Sequence, residues 1–220
     1  MKKKFSQCGQ DFDFIDWYKG KYEKKPKNIN IVEIGANDGV QYSNSYIFEN
    51  GKNKILCIEP NKEIFKELVK NRKDSICVNL AVSDNTGIVS FLPCESTTLK
   101  VPEGLNVIHR SDLLGKINTK DTPEEDLKKS YYVECKPLYD ILEENNFPVD
   151  IDFMTIDTEG HELRILEAFL KRNDKYKVGF LCVETNEDLE CKKNIYDLLT
   201  KHNYKLLCIN LYDDYYIKGD

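Results

Sequence analysis

An acidic, glycine-containing turn follows the first apolar stretch of the chain, and its residue types could bind a ligand. The turn reads Glu33-Ile34-Gly35-Ala36-Asn37-Asp38-Gly39, an E-x-G-x-x-x-G spacing. Its glycines allow the backbone to approach a ligand closely. Pyrophosphate fits poorly, because the G-x-G-x-x-G spacing of dinucleotide enzymes is absent and carboxylates repel phosphate. S-adenosylmethionine fits better, because it carries a sulfonium and an ammonium group. The alternative is an ordinary β-turn-α connection without a ligand.

A second carboxylate, Glu59, ends the next apolar run, residues 54–59. It follows Gly35 by 24 positions, and doubly wound folds hold a ribose by its two hydroxyls from this position. Asn79 and Ala81 come after the third apolar run, where adenine contacts are usual in such folds. A hydrogen bond at the end of a strand is the alternative role for Asn79.

A second acidic turn, Asp157-Thr158-Glu159-Gly160-His161-Glu162, follows the apolar run at residues 151–156. Right-handed crossovers place the first and the fourth main strands side by side in a doubly wound sheet. We therefore expect this turn and the glycine turn to face one acidic crevice.

Strand and helix patterns alternate through most of the chain, which predicts an α/β fold with an open, doubly wound, mostly parallel sheet and helices on both faces. We predict strands at residues 29–34, 54–59, 76–82, 88–92, 131–136 (edge-like), 151–156 and 178–183. We predict helices at 11–18, 42–49, 138–145 and 188–202, and after Asn61 and Glu162. A terminal antiparallel hairpin, 205–211 and 215–217, should turn around Asp213-Asp214.

Residues 93–130 lack a periodic pattern and contain several Pro, Gly, Ser and Thr residues. Such a long segment is either disordered or functional, and we expect a substrate-binding insertion over the site. His109 and Arg110 lie in it and could meet an anionic acceptor; the alternative is that both are solvated surface residues.

The composition indicates one soluble domain over residues 1–220, in which 1–28 form an N-terminal helical segment. The net charge of −6 argues against a nucleic-acid partner. No apolar stretch has membrane-spanning length, and Lys2-Lys3-Lys4 is not followed by the apolar core of a signal peptide. Eight cysteines without a C-x-x-C pair fit a reducing cytoplasm, so we expect a cytoplasmic protein.

The sequence resembles the FkbM-type S-adenosylmethionine-dependent methyltransferases over nearly its whole length. The segments that resemble the family are 6–11, 32–39 with Tyr42-Ser43-Asn44, 57–61, 151–162 with Leu166, and 183–186. Residues 93–130 are poorly covered. Thr185 departs from the family pattern, in which we expect a histidine between Glu184 and Asn186.

This resemblance implies a class I methyltransferase (Rossmann-like) fold and S-adenosylmethionine as the donor. The best-known members of the family methylate hydroxyls of sugars or of polyketide-type products. We therefore expect O-methylation of a sugar hydroxyl, with a nucleotide sugar for surface polysaccharide as the small-molecule acceptor. The alternatives are N-methylation of a phosphorylated amine such as phosphoethanolamine, a non-catalytic S-adenosylmethionine-binding protein, and a nicotinamide enzyme.

Site residues follow from the turns and the resemblance together. We expect the donor to be bound by Glu33, Gly35, Asn37, Asp38, Gly39, Ser43, Asn44, Glu59, Pro60, Asn79, Ala81 and Asp157. A sugar hydroxyl needs a general base or a metal at neutral pH. Asp157 is the best-placed base, with Glu159 and His161 as further candidates. Asp157, Glu184 and Asn186 offer oxygen ligands that suit Mg²⁺. Alternatively, Asp157 only orients a substrate and Glu184 pairs with a cationic group.

Overall fold

The computed structural model describes residues 5–93, 106–109, 131–185 and 189–219. The strands are β1 (Asn30–Ile34), β2 (Lys54–Ile58), β3 (Ile76–Val78), β4 (Ala81–Ser83), β5 (Gly87–Pro93), β6 (Asn106–His109), β7 (Tyr131–Pro137), β8 (Asp150–Ile156), β9 (Lys177–Glu184), β10 (Tyr204–Asn210) and β11 (Asp213–Lys218). The helices are α1 (Gln10–Tyr22), α2 (Lys62–Asn71), α3 (Leu138–Glu144), α4 (Glu162–Arg172) and α5 (Leu189–Lys201).

The main sheet has seven strands in the order β10-β11-β9-β8-β1-β2-β3. Its central pairs, β8 with β9, β1 with β8, β1 with β2 and β2 with β3, are parallel. The last strand, β11, inserts antiparallel between β9 and β10. This order confirms the doubly wound sheet with a terminal antiparallel hairpin, and it confirms that the first and fourth main strands are neighbours.

Apolar side chains cover both faces of this sheet, as expected for strands buried on both sides. On one face, Phe14 of α1 stacks on Phe153 of β8 with ring centroids 4.6 Å apart, and Leu68 of α2 joins the same cluster. On the other face, residues of α3, α4 and α5 pack together, among them Ile141, Leu166 and Leu199. None of the described helices is both long and apolar enough to span a membrane.

A second sheet of four strands, β4-β7-β5-β6, was not predicted. The predicted strand at 76–82 divides: β3 joins the main sheet, whereas β4 pairs with β7 in the second sheet. The edge-like assignment of 131–136 is also wrong, because β7 lies between β4 and β5. Of the segment 93–130, the structure describes Pro93 and β6, which pairs with β5.

The predicted helix at 42–49 is wrong. The segment contains only one 3-10 turn, Tyr46–Phe48. Ser43 and Ser45 direct their hydroxyls to the buried Glu33 carboxylate, and the Asn44 backbone N–H donates to it at 2.6 Å. Side chains that bond locally to the backbone compete with a helix in this way.

The hairpin turn also differs from the prediction. It lies at Leu211 and Tyr212, whereas Asp213 and Asp214 are buried in β11 and pair with β9. Their carboxylates have partners elsewhere: Gln10 donates to Asp213 at 2.6 Å and Lys192 pairs with Asp214 at 2.8 Å. The turn therefore forms where Leu211 adopts a positive φ of 55°.

Candidate active site

Gly35 brings the ends of β1 and β8 into close contact. A Cβ atom on this residue would lie 1.8 Å from the carbonyl oxygen of Asp157, and its φ of +82° belongs to the left-handed region. The Asp157 N–H donates to the Ile34 carbonyl at 3.1 Å and continues the ladder. Only glycine fits this crossing, so the two acidic turns meet as the sequence predicts.

Glu59 connects the end of β2 to the glycine turn. Its carboxylate is buried and accepts from the backbone N–H groups of Asn37 at 3.0 Å and Asn61 at 2.8 Å. Burial raises the pKa of Glu59 to about 7, although both hydrogen bonds act to lower it. Glu59 therefore lines the cavity, and each of its carboxylate oxygens accepts a hydrogen bond from the backbone. With this pKa, the carboxyl group gains or loses its proton near neutral pH.

A cavity opens between these strand ends and encloses about 740 Å³, counting space open to solvent. Its lining residues are Gln7, Ile34, Gly35, Asn37, Gln41, Tyr42, Asn44, Ile58, Glu59, Pro60, Leu80, Val82, Phe91, Asp157, Thr158 and Glu159. The sequence-predicted residues that it brings together are Gly35, Asn37, Asn44, Glu59, Pro60, Asp157 and Glu159.

Three carboxyl groups cluster at the ends of β8 and β9: those of Asp157, Glu159 and Glu184, with oxygens within 4.8 Å of one another. Burial and the nearby Glu159 raise the pKa of Asp157, and burial and Asp157 raise that of Glu184. Burial and the Glu162 charge raise the pKa of Glu159 to about 7. Like charges at this distance cannot all ionise, so the cluster retains a proton unless a cation is present.

The predicted metal set is only partly described. Asp157 and Glu184 lie together, and Glu159 joins them, whereas Asn186 lies outside the described residues. Arg110 also lies outside them, and His109 is placed only by the backbone of β6.

Glu162 supports the turn that carries Glu159. Its Oε1 accepts from the Thr158 N–H and hydroxyl, both at 2.8 Å, and from the Gly160 N–H at 3.1 Å. Glu159 itself has a positive φ of 57°. A bulky residue rarely adopts this conformation, and such strain is common at functional sites. The turn thus directs Glu159 into the cavity.

His161 occupies a different position from the one expected of a catalytic base. It is 1 % exposed, forms the N-cap of α4 and does not line the cavity. Its Nε2 atom lies 3.2 Å from the Ser83 hydroxyl oxygen. The side chain is enclosed between β4 and α4, whereas the carboxylates of Asp157 and Glu159 belong to residues that line the cavity.

Glu33 and Ser43, predicted as donor ligands, are not among the residues that line the cavity. The Glu33 carboxylate is 2 % exposed and accepts from Ser43, Ser45, the Asn44 N–H and Arg72. Arg72 is equally buried and also donates to the Gly39 carbonyl at 2.6 Å. These contacts assign Glu33 and Ser43 to holding the glycine loop in place.

Four further predicted ligands also lie outside the cavity lining: Asp38, Gly39, Asn79 and Ala81. Asp38 accepts from the N–H groups of Val40 and Gln41, and Asn79 donates to the carbonyls of Glu59 and Pro60. A Cβ on Gly39 would lie 2.6 Å from Leu68 Cδ1, and Ala81 is fully buried in β4. Asp38, Gly39 and Asn79 thus lie in loops, and Ala81 lies in β4.

Several residues of the site were not predicted, among them Gln41, Phe91 and the supporting residue Arg72. A sequence signal existed for Arg72. It continues the apolar stripe of α2, four positions after Leu68, which lies four after Ile64. A charged residue on an apolar helix face indicates a buried ion pair.

Comparison with known proteins agrees with this geometry. Residues 33–206 match the methyltransferase FkbM domain. A search of curated proteins found no match. Similar solved structures include human methyltransferase 10 domain containing protein, with 13% identity, a TM-score of 0.48, and coverage of 94% of this chain and 80% of that one.

Two further structures are the N-terminal domain of human METTL16 in complex with SAH and a precorrin-6y C5,15-methyltransferase from Geobacter metallireducens. The first has 12% identity and a TM-score of 0.49 and covers 98% of this chain and 72% of that one. The second has 12% identity and a TM-score of 0.43 and covers 98% and 89%. The family match spans most of the sequence and both acidic turns. The chain therefore belongs to the FkbM methyltransferase family, has the class I fold, and is an S-adenosylmethionine-dependent methyltransferase.

Proposed function

We propose that this methyltransferase acts on a hydroxyl of a sugar, in a nucleotide-activated sugar of surface polysaccharide biosynthesis. The observation that supports this most directly is Glu159, a cavity-lining carboxylate whose pKa is raised to about 7 by burial and by Glu162. A general base is most effective when its pKa lies near the working pH. A sugar hydroxyl requires such a base, because it is a poor nucleophile at neutral pH.

The donor would occupy the cavity between the two acidic turns. Glu59 would accept hydrogen bonds from the ribose hydroxyls, and the glycine turn with Asn37 would receive the methionine end. The Asp157 and Glu159 carboxylates would face the sulfonium, whose positive charge offsets the excess of acidic groups. Bound donor supplies an activated methyl group, so the main task of the protein is alignment.

The transfer itself requires one bond to break and one to form. The acceptor oxygen would bond to the methyl carbon, and the departing sulfur would keep the electrons of the broken bond. The hydroxyl proton would pass to a carboxylate of the cluster. Glu159 has the more accessible position for this step, and Asp157 lies beside the Gly35 crossing. We assign Asp157 to orienting the acceptor and Glu159 to holding the proton.

The charge of the cavity bears on the acceptor. Among the described lining residues three are acidic and none is basic. A phosphate would be repelled here, so the diphosphate of a nucleotide sugar would lie outside the acidic wall. The same wall and the net charge of −6 disfavour nucleic acid. A nucleotide-sugar substrate would place the reaction in the cytoplasm.

A divalent cation is a second candidate for balancing the acidic cluster. Three carboxylates with oxygens within 4.8 Å suit a hard cation such as Mg²⁺, and Glu184 Oε2 is buried without a hydrogen-bond partner among the described residues. Asp157, Glu159 and Glu184 would hold the ion, with Asn186 as a further oxygen ligand. Bound there, it would supply charge neutralisation and lower the pKa of the acceptor hydroxyl.

Transfer of labelled methyl from S-adenosylmethionine to a panel of nucleotide sugars and small phosphorylated amines tests the proposal. Asp157→Asn and Glu159→Gln are compared with Glu167→Gln, which makes the same chemical change at an exposed position of α4. We expect label on a sugar nucleotide, a loss of about 10²–10⁴-fold in Glu159→Gln, and no loss in Glu167→Gln. Each reaction is repeated with EDTA.

The outcomes separate the alternatives. Loss of transfer with EDTA would support the cation site, and unchanged transfer would reject it. Label on phosphoethanolamine only, which the acidic wall could attract through its ammonium, would replace the sugar with an amine. No label on either class despite donor binding would overturn the proposed acceptor. Normal turnover in Asp157→Asn and Glu159→Gln would remove both residues from the reaction.

A further inference from the structure

The N-terminal segment, residues 5–9, contributes Gln7 to the cavity lining although it precedes the family match at 33–206. Ser6 forms a parallel bridge with Tyr42, and the Phe5 and Tyr46 rings meet with centroids 4.6 Å apart. At the other end, Asn210 donates to the Cys8 carbonyl at 3.3 Å. The segment thus contacts the loop after the glycine turn, at Tyr42 and Tyr46, and the terminal hairpin, at Asn210. Gln7 lies in sequence between these contacts and lines the cavity.

The cavity lining carries the side-chain amides of Gln7, Gln41 and Asn44, besides that of Asn37 in the glycine turn. Asn44 is 7 % exposed, and its Oδ1 atom has no hydrogen-bond partner among the described residues. Its backbone N–H is used by Glu33, which fixes the residue in the loop. A buried amide oxygen normally has a donor, so an unpartnered one beside a cavity points to a ligand group.

The charges of the cavity define what these amides can recognise. The amino-acid end of S-adenosylmethionine carries an ammonium and a carboxylate. Carboxylates of the site can balance the cations of the donor, whereas no basic side chain among the described lining residues can receive its carboxylate. That carboxylate therefore needs neutral N–H donors, which side-chain amides and backbone N–H groups provide.

We propose that Gln7, Gln41 and Asn44 form an amide wall that binds the amino-acid end of the donor, with Gln7 supplied by the N-terminal segment. The N–H groups of Gln7 and Gln41 donate to the donor carboxylate, and Asn44 Oδ1 accepts from its ammonium. This inference rests on the proposed function in one respect, that the donor occupies this cavity. It adds a binding role for a segment outside the family match.

Two ligands distinguish recognition of the amino-acid end from a general effect on the cavity. S-adenosylhomocysteine carries the amino-acid end, and 5′-methylthioadenosine lacks it. Calorimetry measures both affinities for the full chain and for Gln7→Ala, Gln41→Ala and Asn44→Ala. Asn85→Ala, an exposed amide outside the cavity lining, is the matched control. We expect each wall variant to bind S-adenosylhomocysteine about tenfold more weakly and 5′-methylthioadenosine within twofold of the unmodified chain.

Gln7→Glu sharpens the test, because it keeps the side-chain length and places a negative charge beside the donor carboxylate. Gln7→Glu should weaken the binding of S-adenosylhomocysteine more than Gln7→Ala does, and it should leave the affinity for 5′-methylthioadenosine unchanged. Equal weakening of both ligands, or no weakening of either, would overturn the amide wall. If the unmodified chain bound neither ligand, the donor site itself would be refuted, which is a different result. Gln7 and Gln41 are exposed, so these variants should remain folded, and their thermal midpoints check this.

Discussion

Two neighbouring regions of the main sheet, one at β1 and one at the ends of β8 and β9, contain buried acidic groups that differ in whether a cationic side chain pairs with them. At β1, Glu33 is enclosed with Arg72 at 3.0 Å, and Ser43, Ser45 and the Asn44 N–H complete its hydrogen bonds. At β8 and β9, Asp157, Glu159 and Glu184 cluster without a cationic side chain among the described residues within the group. One region is a neutralised buried network, and the other holds acidic groups whose charges repel.

The difference separates support from function. A buried carboxylate that has a cation and several donors stabilises local structure and has little capacity left for a ligand. A buried cluster with raised pKa values and no cation lowers stability in the free protein, and such groups occur mainly where a ligand supplies the missing charge. By this criterion Glu33 belongs to the structural group, whereas Gly35, in the same turn, borders the cavity.

Removing the cation of the neutralised network should have the largest effect. Arg72→Met would leave the buried Glu33 and the partly buried Glu49 without their cationic partner, and we expect a loss of about 3–5 kcal/mol in the free energy of unfolding. Urea denaturation measures this. The control is Lys66→Met, which breaks the exposed pair with Glu63 and should change stability by less than about 0.5 kcal/mol. A loss below 1 kcal/mol in Arg72→Met would refute the network as a stabilising unit.

The second prediction concerns pH. Burial raises the pKa values of Glu59 and Glu159 to about 7 and that of Asp213 to about 6. Between the unfolded and folded pKa values the native state binds more protons, so stability falls as the pH rises through this window. For fully buried Glu59 the loss is about 3 kcal/mol between pH 4 and pH 8. Urea denaturation of the donor-free protein across this range checks it.

Glu59→Gln serves as the control for this pH dependence. The variant removes one titrating group and should therefore reduce the loss of stability at high pH. The acidic cluster should still make its own contribution to that loss. Stability of the unmodified protein that rose from pH 5 to pH 8 would contradict the raised pKa values.

The third prediction concerns the acidic cluster of Asp157, Glu159 and Glu184, which has no cationic partner among the described residues of the group. Glu184→Gln removes one of the repelling carboxyl groups but keeps a hydrogen-bonding side chain beside Asp157. We expect the donor-free protein to gain about 1–2 kcal/mol at pH 8, opposite in sign to the Arg72 variant, and to lose methyl transfer. Thermal unfolding and the transfer assay measure the two effects. Glu167→Gln should change neither, and a destabilised Glu184→Gln variant would place Glu184 among the structural acids.

Sequence reasoning predicted what depends on local pattern and general topology. The Gly35 crossing, the neighbouring positions of β1 and β8, and the place of Glu59 at the cavity follow from strand order and right-handed crossovers. The structural role of Glu33 could not be predicted in this way, because its partner Arg72 is 39 residues away in sequence. No local spacing shows which carboxylate Arg72 pairs with. The sequence therefore predicted an acidic crevice but not which acids face it.

Long-range partners also explain the errors in secondary structure. Residues 42–49 have a pattern compatible with a helix, but the hydroxyls of Ser43 and Ser45 donate hydrogen bonds to Glu33, which lies in β1. Asp213 and Asp214 have the residue type of a turn, yet Gln10, 203 positions away, binds Asp213 inside the sheet. In both cases a buried polar network outweighs the local preference.

The smallest effect should come from His161, which lies on the same turn as Glu159 but is enclosed like Glu33. Its Nε2 atom is 3.2 Å from the Ser83 hydroxyl oxygen, and the residue occupies the N-cap position of α4. His161→Asn keeps a residue type that favours the N-cap and should cost about 1 kcal/mol of stability through the lost Ser83 contact. Turnover should stay within about threefold of the unmodified enzyme and keep the same pH profile, whereas loss of a general base would cost about 10²–10⁴-fold. Steady-state kinetics at several pH values distinguish the two. A large loss of turnover with the low-pH limb of the profile displaced would return His161 to the catalytic group and assign Glu159 to the support of the turn.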